Sequence, residues 1–412
     1  MPDFIAKILS KGMLLIVGMQ LSACSQWGGL ADRNLQPIDI TAIRSIDFAA
    51  LNCQGLLSYD VYSQGFKLHG LFAAKKIGSD QPCIGYLHSV DKGRSWSVPV
   101  EIPNVAAAGL ESTLGNEVQI AASADSLMAV LQQTGEIPGM GPLMVLYSED
   151  DGKSWYTGSN PTVSTIDQSH PELIADPQGH FHLVWLDDRD ENGYQGVRYA
   201  RSADVGKHWE LAQTIDDSSC SCCWNRLWLD WAGNVNLLYR DMQPRDMALA
   251  QSADSGKSWQ RIGSVGEFNW TFDGCPHNGG GLAGNDVNLH ALVWTGVENK
   301  SGLYYLQSAD NGKHWSAPQA MGAGTLAFHS DIAALGSKRV LAVWDATGAD
   351  GSRVMMSESL DSGSQWSVSK QLSSPGSSAS FPRIVATDGG FLAMWLEQKP
   401  GGFKQWMTAI LE

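Results

Sequence analysis

Apolar and polar positions alternate over short runs along the chain, and one kind of run recurs seven times, each ending in a large apolar residue. The seven are Leu68–Phe72, Leu127–Leu131, Phe181–Trp185, Val235–Tyr239, Leu289–Trp294, Val340–Trp344 and Phe391–Trp395. Runs of this length and composition predict β-strands, and no helical periodicity of useful length competes with them. A second, polar pattern follows each of the first six runs, its Trp standing 20 to 24 residues after the run's end: Ser-x-Asp-x-Gly-x-x-Trp. It stands at Ser89–Trp96, Ser148–Trp155, Ser202–Trp209, Ser252–Trp259, Ser308–Trp315 and Ser359–Trp366, with Trp-to-Trp spacings of 59, 54, 50, 56 and 51 residues. A period near fifty marks a repeat architecture. The frame suits a tight turn between strands: Asp accepts from nearby backbone N–H groups, Gly supplies a positive φ, and Trp packs back onto the sheet. The last unit has strands near Arg383–Thr387, Phe391–Trp395 and Lys404–Ile410, and the chain ends before a fourth. Ile38–Phe48 alternates enough to supply it, which would hide two open sheet edges.

The six frames resemble the Asp box, the bacterial neuraminidase repeat of sialidases and related β-propellers. The resemblance implies an all-β chain: a single propeller of four-stranded antiparallel blades over residues 38–412, closed by the N-terminal strand. Seven blades are favoured, with six the alternative if the first unit is irregular. It also makes Asp91, Asp150, Asp204, Asp254, Asp310 and Asp361 fold markers on the turn between a blade's last two strands. The ligand face would then gather the segments leading into the innermost strands: Asn116–Gln119, Ser169–Glu172, Trp224–Leu227, Cys275–Gly279, Phe328–Asp331 and Phe381–Arg383.

Three of these segments carry a histidine. His170 and His329 lie 15 residues before the strand-ending Trp of their unit, and His277 lies 17 before its own. Two more carry Arg226 and Arg383. A ring of His and Arg at a funnel mouth suits an anion or a metal ion; pairing of each with a neighbour such as Glu172 or Asp331 is the simpler reading. The sialidase resemblance asks more: arginines for a sugar carboxylate, an acid/base carboxyl, and a Tyr nucleophile activated by Glu. Arg226, Arg240, Arg245 and Arg383 are the available cations, Asp241, Asp246 and Glu172 the acids, and Tyr239 the nearest tyrosine. Phe381-Pro382-Arg383-Ile384 is similar to the family's Phe-Arg-Ile-Pro signature, in a different order and at the opposite end of the chain.

Cysteines change the picture further. Cys53 and Cys83 share the first unit and are expected to pair. Cys220, Cys222, Cys223 and Cys275 lie on lead-in segments, where two disulfides would staple neighbouring loops if the protein is exported. Adjacent Cys222 and Cys223 cannot easily bond each other. The alternative is a soft metal site in which these four thiols and His277 hold copper or zinc, against a default of no cofactor.

The first 23 residues read as a signal segment: Lys7 and Lys11, an apolar core Met13–Met19, then Leu21-Ser22-Ala23-Cys24. The last four resemble a bacterial lipobox, which implies lipidation of Cys24, a tether over residues 24–37, and anchoring to the outer membrane, with Ser25 following the cysteine. Formal net charge is −15, and −16 once Asp3, Lys7 and Lys11 are removed. That balance argues against a nucleic-acid partner. The expectation is a monomeric envelope propeller that acts on or binds a sialoside-like glycan as an exo-acting hydrolase or recogniser. The alternatives are a non-enzymatic assembly propeller and a metal-binding accessory lipoprotein.

Overall fold

The computed structural model of the chain describes residues 35–79, 81–103, 105, 109–162, 168–188, 195–322, 326–349 and 351–412. The signal segment, Cys24 and most of the tether lie outside the described residues. Among these residues are seven four-stranded antiparallel sheets and one short 3-10 turn, Ala49–Leu51. The first six blades are continuous in sequence, within residues 53–101, 119–157, 168–219, 226–265, 281–321 and 327–371. The seventh is assembled from both ends. Its order is Ile40–Ile46, Lys404–Leu411, Gly390–Gln398 and Ser378–Thr387, with Ile43 paired to Ala409 and Ile46 to Trp406. Seven blades and the N-terminal closing strand are both as the repeat predicts.

The innermost strands are Cys53–Gln64, Gln119–Ser123, Gln168–Ala175, Arg226–Leu229, Gly281–Gly284, Ala327–Leu335 and Ser378–Thr387. Each packs against its neighbours around the axis, and the last packs against the first. The apolar core lies between blades. One cluster joins Met128 and Val130 of the second blade to Leu183 and Trp185 of the third; another joins Phe72 of the first to Met394 and Trp406 of the seventh. The strand-ending Trp185, Trp344 and Trp395 are fully buried there, so the run that predicts a strand also supplies the interblade packing.

All six boxes occupy the turn between the third and fourth strands of a blade. In the box of the third blade, Ser202 Oγ donates to Asp204 Oδ1 at 3.0 Å and accepts from Gly206 N at 2.8 Å, while His208 N donates to Asp204 Oδ1 at 2.9 Å. The box tryptophans turn toward the preceding blade. Trp155, Trp259 and Trp366 meet Tyr86, Tyr199 and Tyr305 edge to face at 5.6, 4.9 and 4.8 Å. Each of these tyrosines also bonds a buried histidine on the strand beside it: His69, His182 and His290, at 2.9, 2.7 and 2.7 Å. The first, third and fifth blades thus present a His–Tyr pair to the box Trp of the next blade. The expected Cys53–Cys83 disulfide is present in the first blade.

The lead-in segments share a backbone device. His170, His277, His329 and Phe381 all have left-handed φ, at 50, 48, 37 and 53°. In the third, sixth and seventh blades the ladder also slips there, between Ser169 and Glu172, Phe328 and Asp331, and Ser380 and Arg383. A bulge of this kind swings its side chain out of the alternation.

Candidate functional site

The mouth of the axial funnel is lined by Glu117, Trp224, Arg226, His329, Phe381 and Arg383, with Ser330 and Pro382 between them. The bulged residues make an aromatic wall. His329 stacks on Phe381 with ring centroids 3.8 Å apart, and Trp224 closes on both at 5.6 and 6.2 Å. Asp345 anchors this wall from the neighbouring strand. One of its oxygens, Oδ2, bonds His329 Nδ1 at 2.7 Å and accepts from Phe381 N at 3.0 Å. A carboxylate on Nδ1 fixes the ring and leaves Nε2 for a ligand or a proton. Arg383 lines both the mouth and the channel below it, and it forms no ion pair with any described residue.

Below the mouth, a cavity of about 430 Å³ runs between the innermost strands. Its polar groups are structural. Arg226 bonds Glu172 at 2.9 Å and lies 3.5 Å from Asp331. Asp60 accepts from Ile120 N of the second blade, and Asp331 from Ile384 N of the seventh, so these acids pin adjacent innermost strands together. Burial pushes the Asp60 carboxyl up to about 7, with the charge of Glu172 adding to it. Burial likewise raises Glu117, Glu172 and Asp331 against the opposing pull of Arg226. The simpler reading therefore holds for Arg226: its charge is already committed to Glu172 and Asp331.

The other proposed catalytic residues do not join this mouth. Tyr239 donates to Asp216 at 2.6 Å in the core of the fourth blade, and burial drives its phenol far above its ordinary range. Asp241 is paired with Arg261 at 2.7 Å. Arg240 donates to the carbonyls of Asn278, Arg245 and Trp294. Asp246 accepts from the N–H groups of Asn269 and Trp270. Arg245 donates to the Phe272 carbonyl and to Cys220 Sγ. Among the described residues, no arginine triad with a Tyr–Glu pair assembles at the mouth.

The histidine ring divides in two. His329 belongs to the mouth, whereas His170 and His277 flank a thiol pocket. There Cys220, Cys222 and Cys223 are buried, with sulfurs 3.6, 3.6 and 3.9 Å apart. These separations correct the expected pair of stapling disulfides: none of the three is bonded to another, and Cys275 is free and exposed. Hydrogen bonds from Cys222 and Cys223, with Arg240 nearby, hold the Cys220 thiol far below its ordinary range. Cys222, Cys275 and His277 form a second, more exposed group, with ligand atoms all within 4.8 Å. Burial brings the His170 imidazole down to about 4.

Trp224, Glu117 and Asp345 were not among the site residues picked from sequence. Trp224 stands in a lead-in segment, and that position was the available signal. Asp345 directly follows the strand-ending Trp344, where nothing local distinguishes it.

Residues 67–265 match the family described as BNR repeat-like domain. No curated protein matches the chain. In structure it is similar to a polysaccharide lyase described as PL25 ulvan lyase, with TM-score 0.62 and 10% identity, over 90% of this chain and 98% of that one. A protein of unknown function from Dyadobacter fermentans gives 0.53 and 13%, over 92% of this chain and 100% of that one. YCF48 bound to D1 peptide gives 0.52 and 13%, over 92% and 96%. At such identities the likeness establishes the fold.

Proposed function

We propose that the axial mouth of this seven-bladed propeller, whose residues 67–265 match the BNR repeat-like family, recognises a terminal acidic sugar. The observation that carries this is Arg383, a mouth-lining cation with no ion-pair partner among the described residues, beside the stacked faces of Trp224, His329 and Phe381. A guanidinium matches a sugar carboxylate in two-pronged geometry, and aromatic faces take the apolar side of a pyranose ring. The ulvan lyase fold is also described bound to -[GlcA(1-4)Rha3S]-, so a propeller of this shape can hold an acidic saccharide.

Sialidase-type hydrolysis would need a nucleophile, and Tyr239 is buried against Asp216 in the fourth-blade core. The proton-transfer groups at the mouth are His329, steered by Asp345, and Glu117, whose carboxyl burial raises. The test is calorimetric titration with oligosaccharides ending in N-acetylneuraminate or glucuronate, with an assay for released sugar in parallel. Arg383→Ala is expected to weaken binding about tenfold or more at unchanged fold, and Trp224→Ala to weaken it for both charged and neutral sugars. Binding that survives both changes would remove the mouth from this role.

We further propose that the protein is exported and held at the outer membrane by lipid on Cys24. The Leu21-Ser22-Ala23-Cys24 segment supports this. Radiolabelled palmitate should enter the wild-type chain and not Cys24→Ser; equal labelling of both would exclude it.

A further inference from the structure

The thiol pocket is built for something other than disulfides. A disulfide needs its sulfurs about 2.05 Å apart. The Cys220, Cys222 and Cys223 sulfurs stand at the corners of a nearly regular triangle with edges of 3.6, 3.6 and 3.9 Å. Thiolates bound at about 2.3 Å around a tetrahedral ion lie about 3.8 Å apart, so the triangle has the size of one face of such a site.

Two of the three sulfurs receive hydrogen bonds from outside the triangle. Arg245 Nη1 donates to Cys220 Sγ at 3.2 Å, and the backbone N–H of Asn278 donates to Cys223 Sγ at 3.4 Å. Arg245 is itself held in place by donating to the Phe272 carbonyl at 2.6 Å, and Cys220 N is bonded to the Arg240 carbonyl at 2.9 Å. A rigid donor shell with two guanidiniums beside it offsets the charge that three buried thiolates would carry around one cation.

The opening of the pocket is equally specific. Cys222 also belongs to the outer group with Cys275 and His277, both exposed. His277 reaches this place through its left-handed backbone, the same device that aims His329 into the mouth. The outer pair meets the buried triangle through Cys222 alone, so a small movement of Cys275 or His277 toward the sulfurs would complete a fourth ligand.

We propose that Cys220, Cys222 and Cys223 bind a single thiophilic d10 cation, Cu(I) or Zn(II), capped from solvent by Cys275 or His277. A donor set of three thiolates with one thiolate or imidazole is the soft chemistry these ions prefer. Binding releases the thiol protons to solvent and changes no oxidation state. The site is independent of sugar recognition at the mouth, although Cys223 and Trp224 are adjacent in the chain.

The test uses the full-length chain purified in detergent under anaerobic, reducing conditions and titrated separately with Zn(II) and with Cu(I) against competing chelators. One equivalent of either ion should be retained through gel filtration, and the competition shows which is held more tightly. Co(II), as a substitute for zinc, should show thiolate charge-transfer absorption. Cys220→Ser and Cys223→Ser should each lose the ion. Because these buried changes could unfold the blade, the exposed Cys275→Ser/His277→Ala variant is the companion. It should keep the fold and bind about tenfold to a hundredfold more weakly. No retained ion, retention unaffected by all of these changes, or a mass showing disulfides among Cys220, Cys222 and Cys223 in the reduced preparation would each overturn the proposal.

Discussion

Gly256 shows how much of the fold rests on single residues. Its φ is +84°, and a Cβ there would overlap the hydroxyl of Tyr199 from the preceding blade. Gly233 has nearly the same φ, +85°, with open space where a Cβ would go. Changing either to Ala imposes left-handed strain of about 1–2 kcal/mol, and only Gly256→Ala adds an interblade collision worth roughly 1–3 kcal/mol more. Urea unfolding of the two variants should separate them by that second amount; equal losses would mean that the blades move apart at no cost. Asp204→Ala removes the acceptor for Ser202 and His208 and should destabilise by about 1–3 kcal/mol while leaving sugar and metal binding unchanged. The boxes were legible in the sequence because their polar atoms answer backbone groups within the same eight residues. The mouth was legible only in part. His329 and Arg383 announced themselves by type and position, but Asp345 acts on His329 across 16 residues and a change of strand. Arg245 was named among the available cations by residue type alone, which says nothing about where its side chain points, and that is toward Cys220.

At the scale of the strand, the closing element is the informative one. Ile40–Ile46 is mostly exposed, yet it pairs with Trp406 through Leu411 of the last strand. Its start is pinned by Ile38, whose side chain joins the core between the sixth and seventh blades and whose N–H donates to Glu358 at 2.9 Å. Deleting residues 38–46 would leave Lys404–Leu411 as a bare edge. The truncated protein should unfold at a lower temperature and self-associate in sedimentation experiments. A monomer of unchanged stability would show that the strand is ornament. The closure was readable from sequence because a seventh strand-ending run lacks its box, which leaves one strand owed. The bulges were not. A left-handed histidine has no sequence mark, and equal offsets from the following Trp hinted at His170 and His329 without showing that one faces thiols and the other a sugar-sized mouth.

Across the whole molecule, buried ionisable groups of opposite sense are distributed around the ring, and this shapes its response to pH. His69 and His290 are held neutral by burial, their pKa values lowered to about 4 from 6.5, and His182 is lowered by the same cause. The unfolded chain takes up these protons first, so each histidine stabilises the fold fully above pH 6.5 and loses that contribution as pH falls toward 4. The axial carboxyls act in the other direction. Asp60, raised to about 7 from 3.8, is protonated in the fold while the unfolded chain has already lost its proton, so its contribution declines as pH rises through that window. Wild type should therefore lose roughly 3 kcal/mol relative to His290→Gln between pH 6.5 and 4, and should lose stability relative to Asp60→Asn between pH 4 and 7. Denaturant unfolding across that range measures both differences, and two difference curves of the same slope would refute the assignment. Opposite slopes would mean that the alternating His–Tyr pairs between blades and the carboxyls along the axis offset each other, keeping the ring stable over the span in which either set alone would loosen it.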